Sequence, residues 1–179
     1  MSDFAIKAKA GQYLTFQLKH EQYGVPIETV REINQPTEIT PVPRTPVFVK
    51  GVMNLRGKII PVVNLRMKFG MEEVDKTRDT CIIVIDTEIG QVGMIVDSVK
   101  EVVNLEDSQI EPSPVLGNER VMHFVKGMGK IEYEDEKNET KQKVIILVDC
   151  VAAFSPDQMT VLESISASAN NSESEEKAA

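Results

Sequence analysis

Apolar and polar residues alternate in short stretches along most of the chain. Residues 13–18 read YLTFQL, 25–33 form a second extended stretch, and 58–65 read KIIPVVNL. Residues 81–85 (CIIVI), 93–96, 99–105 and 144–148 continue the pattern. Runs this short, rich in β-branched residues and separated by turn formers, predict the strands of small barrels or a sandwich and not alternating strand–helix units. Pro61 has no N–H to donate, which places it at a sheet edge or a bulge. Two helical turns are expected. Thr45-Pro46 sets a capping hydroxyl before a first-turn proline and leads into residues 47–50. Ser155-Pro156-Asp157 repeats that signal ahead of QMTVLESI and predicts a C-terminal helix over 155–165. Residues 166–179, SASANNSESEEKAA, hold too little apolar surface to offset the entropy of ordering and are expected to be a disordered acidic tail. Residues 1–11 are expected to be flexible.

The sequence repeats itself. GVPIETVREI, beginning at Gly24, is answered by GMIVDSVKEV, beginning at Gly93. Pro41-Val42-Pro43 is answered by Pro112-Ser113-Pro114, and Phe48-Val49-Lys50-Gly51 recurs letter for letter as Phe124-Val125-Lys126-Gly127. KIIPVVNL from Lys58 matches KVIILVDC from Lys143. The four blocks keep one order while their separation only grows, which chance likeness among apolar strands would not do. The added length falls mainly at 132–142, EYEDEKNETKQ, a charged hairpin tip that needs no function to explain it. Each copy has roughly 70 residues, small for an independent core. The repeat therefore predicts an all-β domain over 12–154, made of two five-stranded barrels in pseudo-twofold contact. The first lies mainly in 12–70 and the second mainly in 79–150, with exchange of strands between them left open. Recognition would fall in the groove where they meet.

Composition narrows the function. The 179 residues include 20 basic and 28 acidic ones, a net charge of −8. A nucleic-acid binder needs clustered cations, and so does polybasic docking to a membrane surface. No apolar run approaches the roughly 20 residues of a membrane-spanning helix, so direct membrane insertion is not expected. Nor does MSDFAIKAKAGQ hold the apolar core of a secretion signal, which points to a cytoplasmic protein. The two cysteines, Cys81 and Cys150, flank apolar runs and read as core residues in a reducing compartment.

Constellations for catalysis are lacking. His20 and His123 have no spaced partner to make a metal site or an oriented base. The glycines of KGMGK lack the context of a phosphate loop, and no nucleophile elbow is present. The carboxylates of EYEDE and SESEE lie in exposed runs, whereas acid–base chemistry needs shielded carboxylates with separated pKa values. No metal or cofactor is expected, and an uncharacterised small β-barrel enzyme is the weaker alternative. An asymmetry between the copies is more informative. Glu32 and Glu101 are equivalent, and Arg56 in NLRG could pair with Glu32, while the matching position in the second copy is Glu132. An exposed pair of this kind is worth only about 0–1 kcal/mol. Val30, Val99 and Val102 are apolar residues in polar surroundings, and together they could line a groove for a partner's helix.

FVKGVMNLRGKIIPVVNLR, with Thr45-Pro46 just upstream, resembles the CheW family of bacterial chemotaxis coupling proteins. So do EQYGVPIETVREI and VGMIVDSVKEVVNL, and the likeness spans about residues 12–163. It implies two intertwined SH3-like five-stranded barrels and no catalysis. It further implies an adaptor between the regulatory domain of the histidine kinase CheA and the cytoplasmic tip of methyl-accepting chemoreceptors. A family member from another chemosensory pathway, such as pilus motility, is the alternative. By position, Val30, Glu32, Gly51, Arg56, Val99 and Val102 match the receptor-facing groove and its ion pair. Ile27 and Cys81 match the kinase contact, with Cys81 standing where an aliphatic residue is usual.

Overall fold

A computed structural model describes residues 8–112 and 124–178. Ser113-Pro114 of the second proline block, His123 and most of the N-terminal segment lie outside the described residues. Eleven strands form two sheets among the described residues. They are β1 (Gly11–Leu18), β2 (Glu21–Pro26), β3 (Val30–Asn34), β4 (Val49–Leu55) and β5 (Lys58–Asn64). After a four-residue helix α1 (Leu65–Lys68) come β6 (Cys81–Thr87), β7 (Gly90–Val96), β8 (Ser98–Leu105) and β9 (Ile110–Glu111). The long hairpin β10 (Val125–Glu134) and β11 (Thr140–Val148) precedes the helix α2 (Pro156–Ala178).

The sheet orders are β8-β1-β2-β11-β10-β9 and β3-β6-β7-β5-β4. The chain accordingly divides into two units, Met1–Glu28 with Val99–Ala153, and Thr29–Ser98 with Phe154–Ala179. Each is built on one of the two sheets and is of the SH3-like type, and the second also carries α1 and α2. Neither unit is one contiguous repeat. The first two strands of each copy pair with the terminal hairpin of the other: β2 runs parallel to β11, and β7 runs parallel to β5. The 12–70 span expected for one barrel is thus shared, with β1 and β2 in one sheet and β3, β4 and β5 in the other. The first unit's sheet has six strands where five were expected, because the two-residue β9 pairs onto β10.

Equivalent residues of the two copies do equivalent jobs. A bulge separates Val49 from Gly51 in β4, and another separates Val125 from Gly127 in β10. The Asn64 N–H donates to the Phe48 carbonyl (2.7 Å) as the Asp149 N–H does to that of Phe124 (2.8 Å). Gly93 faces Val62 across one parallel ladder and Gly24 faces Leu147 across the other. At each, an added Cβ would press within 3.0–3.1 Å of an isoleucine methyl.

The core of the first unit gathers Tyr13, Leu105, Ile110, Ile145 and Leu147, and that of the second Met53, Ile60, Val62, Ile82 and Val84. The spacing of two within Ile60/Val62 and Ile82/Val84 is the side-chain period of a strand. Residues 60–63 and 82–85 are buried on both faces, which explains why they read as unbroken apolar runs.

Several expected elements are corrected. Residues 25–33 are not one strand: a 3-10 turn at Ile27–Thr29 separates β2 from β3, which belong to different sheets. Residues 47–50 form no helix. The Thr45 hydroxyl donates to the Val42 carbonyl (3.0 Å), the Val49 N–H closes a turn onto Pro46, and the chain enters β4 directly. Pro61 is not in an edge strand. It lies in β5 opposite Val52, just short of Val62, where the ladder to β7 begins. Its missing N–H therefore costs no pairing. The C-terminal helix starts as expected, with Ser155 and Gln158 exchanging side-chain-to-backbone hydrogen bonds in a capping box. It then continues through Ala178 where a disordered tail from 166 was expected. Burial of Leu162 and hydrogen bonds from Ser166 and Asn170 to strand β5 supply what the tail's own composition lacks.

Candidate functional site

In the second unit, β4 and β5 are joined by the two-residue turn Arg56-Gly57, closed by the Leu55–Lys58 pair. Both turn residues take positive φ, 53° and 86°. That is the requirement of the tight hairpin whose twist matches its strands, and it favours Asn-Gly over Arg-Gly. The Asn54 side chain accepts the Gly57 N–H (2.8 Å) and supports the bend. Arg56 stands out from the turn with its side chain 79% exposed, and its Nη1 lies 2.8 Å from Glu32 Oε2. Glu32 is mostly buried, and its other oxygen accepts from Asn34 Nδ2 (2.8 Å). The carboxylate on β3 is therefore fixed, and the guanidinium is offered to solvent above it with donors to spare.

Val30 begins β3 opposite Ile85 and is half-buried. Gly51 is buried, and a Cβ there would fall 2.0 Å from the Thr40 carbonyl oxygen. The reason is a two-way bridge, in which Thr40 and Val52 exchange backbone hydrogen bonds at 2.9 Å. Gly51 thus shapes the strand and presents no surface of its own.

Val99 and Val102 lie on β8 in the first unit, half-buried and 49% exposed respectively. Between them the Glu101 backbone both donates to and accepts from the Thr15 hydroxyl. The Glu101 side chain has a partner after all: Lys143 Nζ at 2.8 Å. Lys143 is the repeat equivalent of Lys58, not of Arg56. Glu132 instead pairs with Gln142 in the middle of the longer β10–β11 hairpin, so the second copy has no turn at the position of Arg56. Ile27 lies half-buried in the 3-10 turn. Cys81 opens β6 and is half-buried, not a core residue, with its Sγ donating to the Asp79 carbonyl (3.3 Å). Cys150 is buried, and desolvation pushes its thiol far up, which keeps it protonated and inert.

Two features escaped the sequence reading. Arg66, on α1, forms a forked ion pair with Asp97, Nε to Oδ1 and Nη2 to Oδ2. That hydrogen bond raises the already high pKa of the guanidinium. The pair stands on the wall of a cleft of about 240 Å³ beside Lys50, which is bound to Glu73 at 2.5 Å. Those two pairs tie up the Arg66, Asp97, Lys50 and Glu73 charges, and Asp75 and Lys76, which also line the cleft, are exposed. Second, Lys68 Nζ sits over the rings of Phe48 (4.9 Å) and Phe154 (5.6 Å) and donates to Gln158 Oε1 (2.9 Å). Burial lowers its pKa. Nothing in the alternation of apolar residues signals either contact, because both join residues far apart in the chain.

Among the described residues, no group of three or more His, Cys, Asp or Glu side chains could hold a metal ion, and no helix is long and apolar enough to cross a membrane.

The family profile described as "CheW-like domain" matches residues 12–157. The chain belongs to the CheW family. Chemotaxis protein CheW of Klebsiella aerogenes is 32% identical over 168 residues, covering 94% of this chain and 96% of that protein. Chemotaxis protein CheW of Thermotoga maritima is 34% identical, covering 62% of this chain and 73% of the relative. Among solved structures, the scaffolding protein TtCheW of Thermoanaerobacter tengcongensis aligns with a TM-score of 0.69 at 32% identity. That match covers 83% of this chain and 95% of the other.

Proposed function

We propose that this CheW-family chain is a non-catalytic adaptor that couples methyl-accepting chemoreceptors to the regulatory domain of the histidine kinase CheA in the cytoplasm. The observation that carries this reading is the Arg56 turn: an exposed guanidinium held by a mostly buried Glu32 on β3. A group pinned in this way loses little entropy on docking, and its remaining donors can serve a partner. Receptor contact is assigned to Arg56 with Val30, Val99 and Val102, while Glu32 and Gly51 position the strand and the turn. Kinase contact is assigned to Ile27 and Cys81. Names of relatives support chemotaxis as the pathway.

The test is capture of a receptor signalling fragment and of the kinase by the wild-type chain, Arg56→Glu and Val30→Lys. Receptor capture is expected to fall at least about tenfold for Arg56→Glu, since like charge would face Glu32 and any acidic partner. Unchanged receptor capture by both variants, with folding verified by circular dichroism, would reject the assignment. Capture of neither receptor nor kinase by the wild-type chain would reject the function itself.

A further inference from the structure

We infer that the C-terminal helix α2 braces the Arg56 turn through Asn170, making this helix a positioning element of the docking site beyond residue 157, where the family match ends. This rests on the assignment of Arg56 to partner docking. The two-residue turn makes Leu55–Lys58 the hydrogen-bonded closing pair of the hairpin, so Asn54–Ile59 is a non-bonded pair. The Ile59 N–H and carbonyl consequently turn away from β4. On that other side β7 pairs only with Val62, Val63 and Asn64 of β5. Both polar groups of Ile59 would be left without a ladder partner in a half-buried place, a costly situation for backbone.

Asn170 meets both. Its Nδ2 donates to the Ile59 carbonyl and its Oδ1 accepts the Ile59 N–H, each at 3.0 Å. A primary amide has the same donor–acceptor pair as a peptide group, so Asn170 acts as one residue of an adjacent strand. Its Nδ2 also donates to the Ser166 carbonyl one turn back (2.7 Å), which fixes the rotamer, and the Ser166 hydroxyl reaches the Ile59 carbonyl at 3.5 Å. The helix is held at its other end as well, by Lys68 on Gln158. Ile59 is three residues from Arg56, with only Gly57 and Lys58 between. Holding Ile59 restrains the base of the turn while leaving Arg56 uncovered, and that exposure identifies the contact as a brace and not a mask.

The experiment compares full-length Asn170→Ala, Asn170→Asp and wild type, with Arg56→Glu as control. Amide hydrogen exchange at Ile59 is expected to quicken at least about tenfold in Asn170→Ala. In Asn170→Asp the carboxylate keeps the N–H but repels the carbonyl, so exchange should be intermediate. Affinity for the receptor fragment should fall about three- to tenfold in Asn170→Ala, the scale of one hydrogen bond, with kinase affinity unchanged. A merely structural role would move both affinities together, and that outcome would overturn the proposal. So would unchanged exchange at Ile59, or faster exchange with wild-type receptor affinity. If Arg56→Glu also binds receptor normally, it is the docking assignment that fails; faster Ile59 exchange would still establish the hydrogen bond.

Discussion

Arg66 and Asp97 meet fork to fork, with Nε on Oδ1 at 2.7 Å and Nη2 on Oδ2 at 2.5 Å, and both side chains are largely withdrawn from solvent. Arg66 Nη1 also reaches the Glu72 carbonyl at 3.5 Å. One guanidinium thus ties the end of β7 to the start of the long connection between α1 and β6. Removing one partner strands the other charge, so Asp97→Ala should destabilise the fold by about 2–4 kcal/mol in chemical denaturation. Arg66→Lys keeps the charge without the planar fork and should cost about 1–2 kcal/mol. A loss below about 0.5 kcal/mol for both would show the pair to be a surface decoration.

Arg56 separates stability from docking. Its backbone has the left-handed conformation at φ 53°, which Asn adopts more readily than Arg. The ion pair lost with it is largely exposed on the arginine side. Arg56→Asn should therefore leave the melting temperature unchanged or raise it by a few degrees, while receptor capture drops. A marked fall in melting temperature would mean that the Glu32 pair carries more of the fold than its exposure allows.

Two glycines of the same hairpin should respond differently to alanine. At Gly51 a Cβ would overlap the Thr40 carbonyl, and φ is 139°. The bridge to Thr40 must open, so Gly51→Ala is expected to cost about 3 kcal/mol or more, or to leave the chain unfolded in bacteria. At Gly57 φ is 86° but nothing lies within 4 Å of the added Cβ, so only backbone strain of about 1–2 kcal/mol remains. Equal losses in urea titrations would contradict this geometry.

The charged tip of the β10–β11 hairpin carries its own pH dependence. Lys141 donates to Asp135 Oδ2 at 2.7 Å, and the Lys137 and Glu139 N–H groups donate to Oδ1 at 2.9 Å. The Lys141 hydrogen bond, followed by that from Glu139, holds the Asp135 carboxyl below the usual carboxylate range. A lowered folded pKa stabilises the tip fully above the ordinary aspartate pKa, and this support is lost as pH falls through the depressed value. Protection of the Lys137 and Glu139 amides should therefore fade only under acid conditions, below pH about 4. Asp135→Asn should remove that dependence. A midpoint at or above the ordinary value would refute the hydrogen-bonded tip.

Much of this was legible in the chain. Strands such as β1 and β6 announce themselves by alternation or by unbroken β-branched runs, and the doubled FVKG marks the same bulge twice. Strands β4 and β10 were harder to see, because their buried positions include Gly51, Gly127 and Gly129, where backbone approach replaces apolar side chains. The pairing of Glu32 with Arg56 was a possibility in the sequence that only the fold could decide, because β3 and β4 are the two end strands of one sheet order and share no register. For Glu101 the same reasoning looked to Glu132 and missed Lys143, since the longer hairpin moves the turn away and brings a different cation alongside.

By itself the sequence determined the all-β character, the duplication and the family, since side-chain period, turn residues and repeated motifs are local properties. Tertiary structure decided which strands share a sheet, that Gly51 faces the Thr40 carbonyl, and that a polar C-terminal stretch is helix. Each of these depends on satisfying backbone hydrogen bonds between distant segments, and the Ile59–Asn170 contact, spanning most of the chain, is the clearest case.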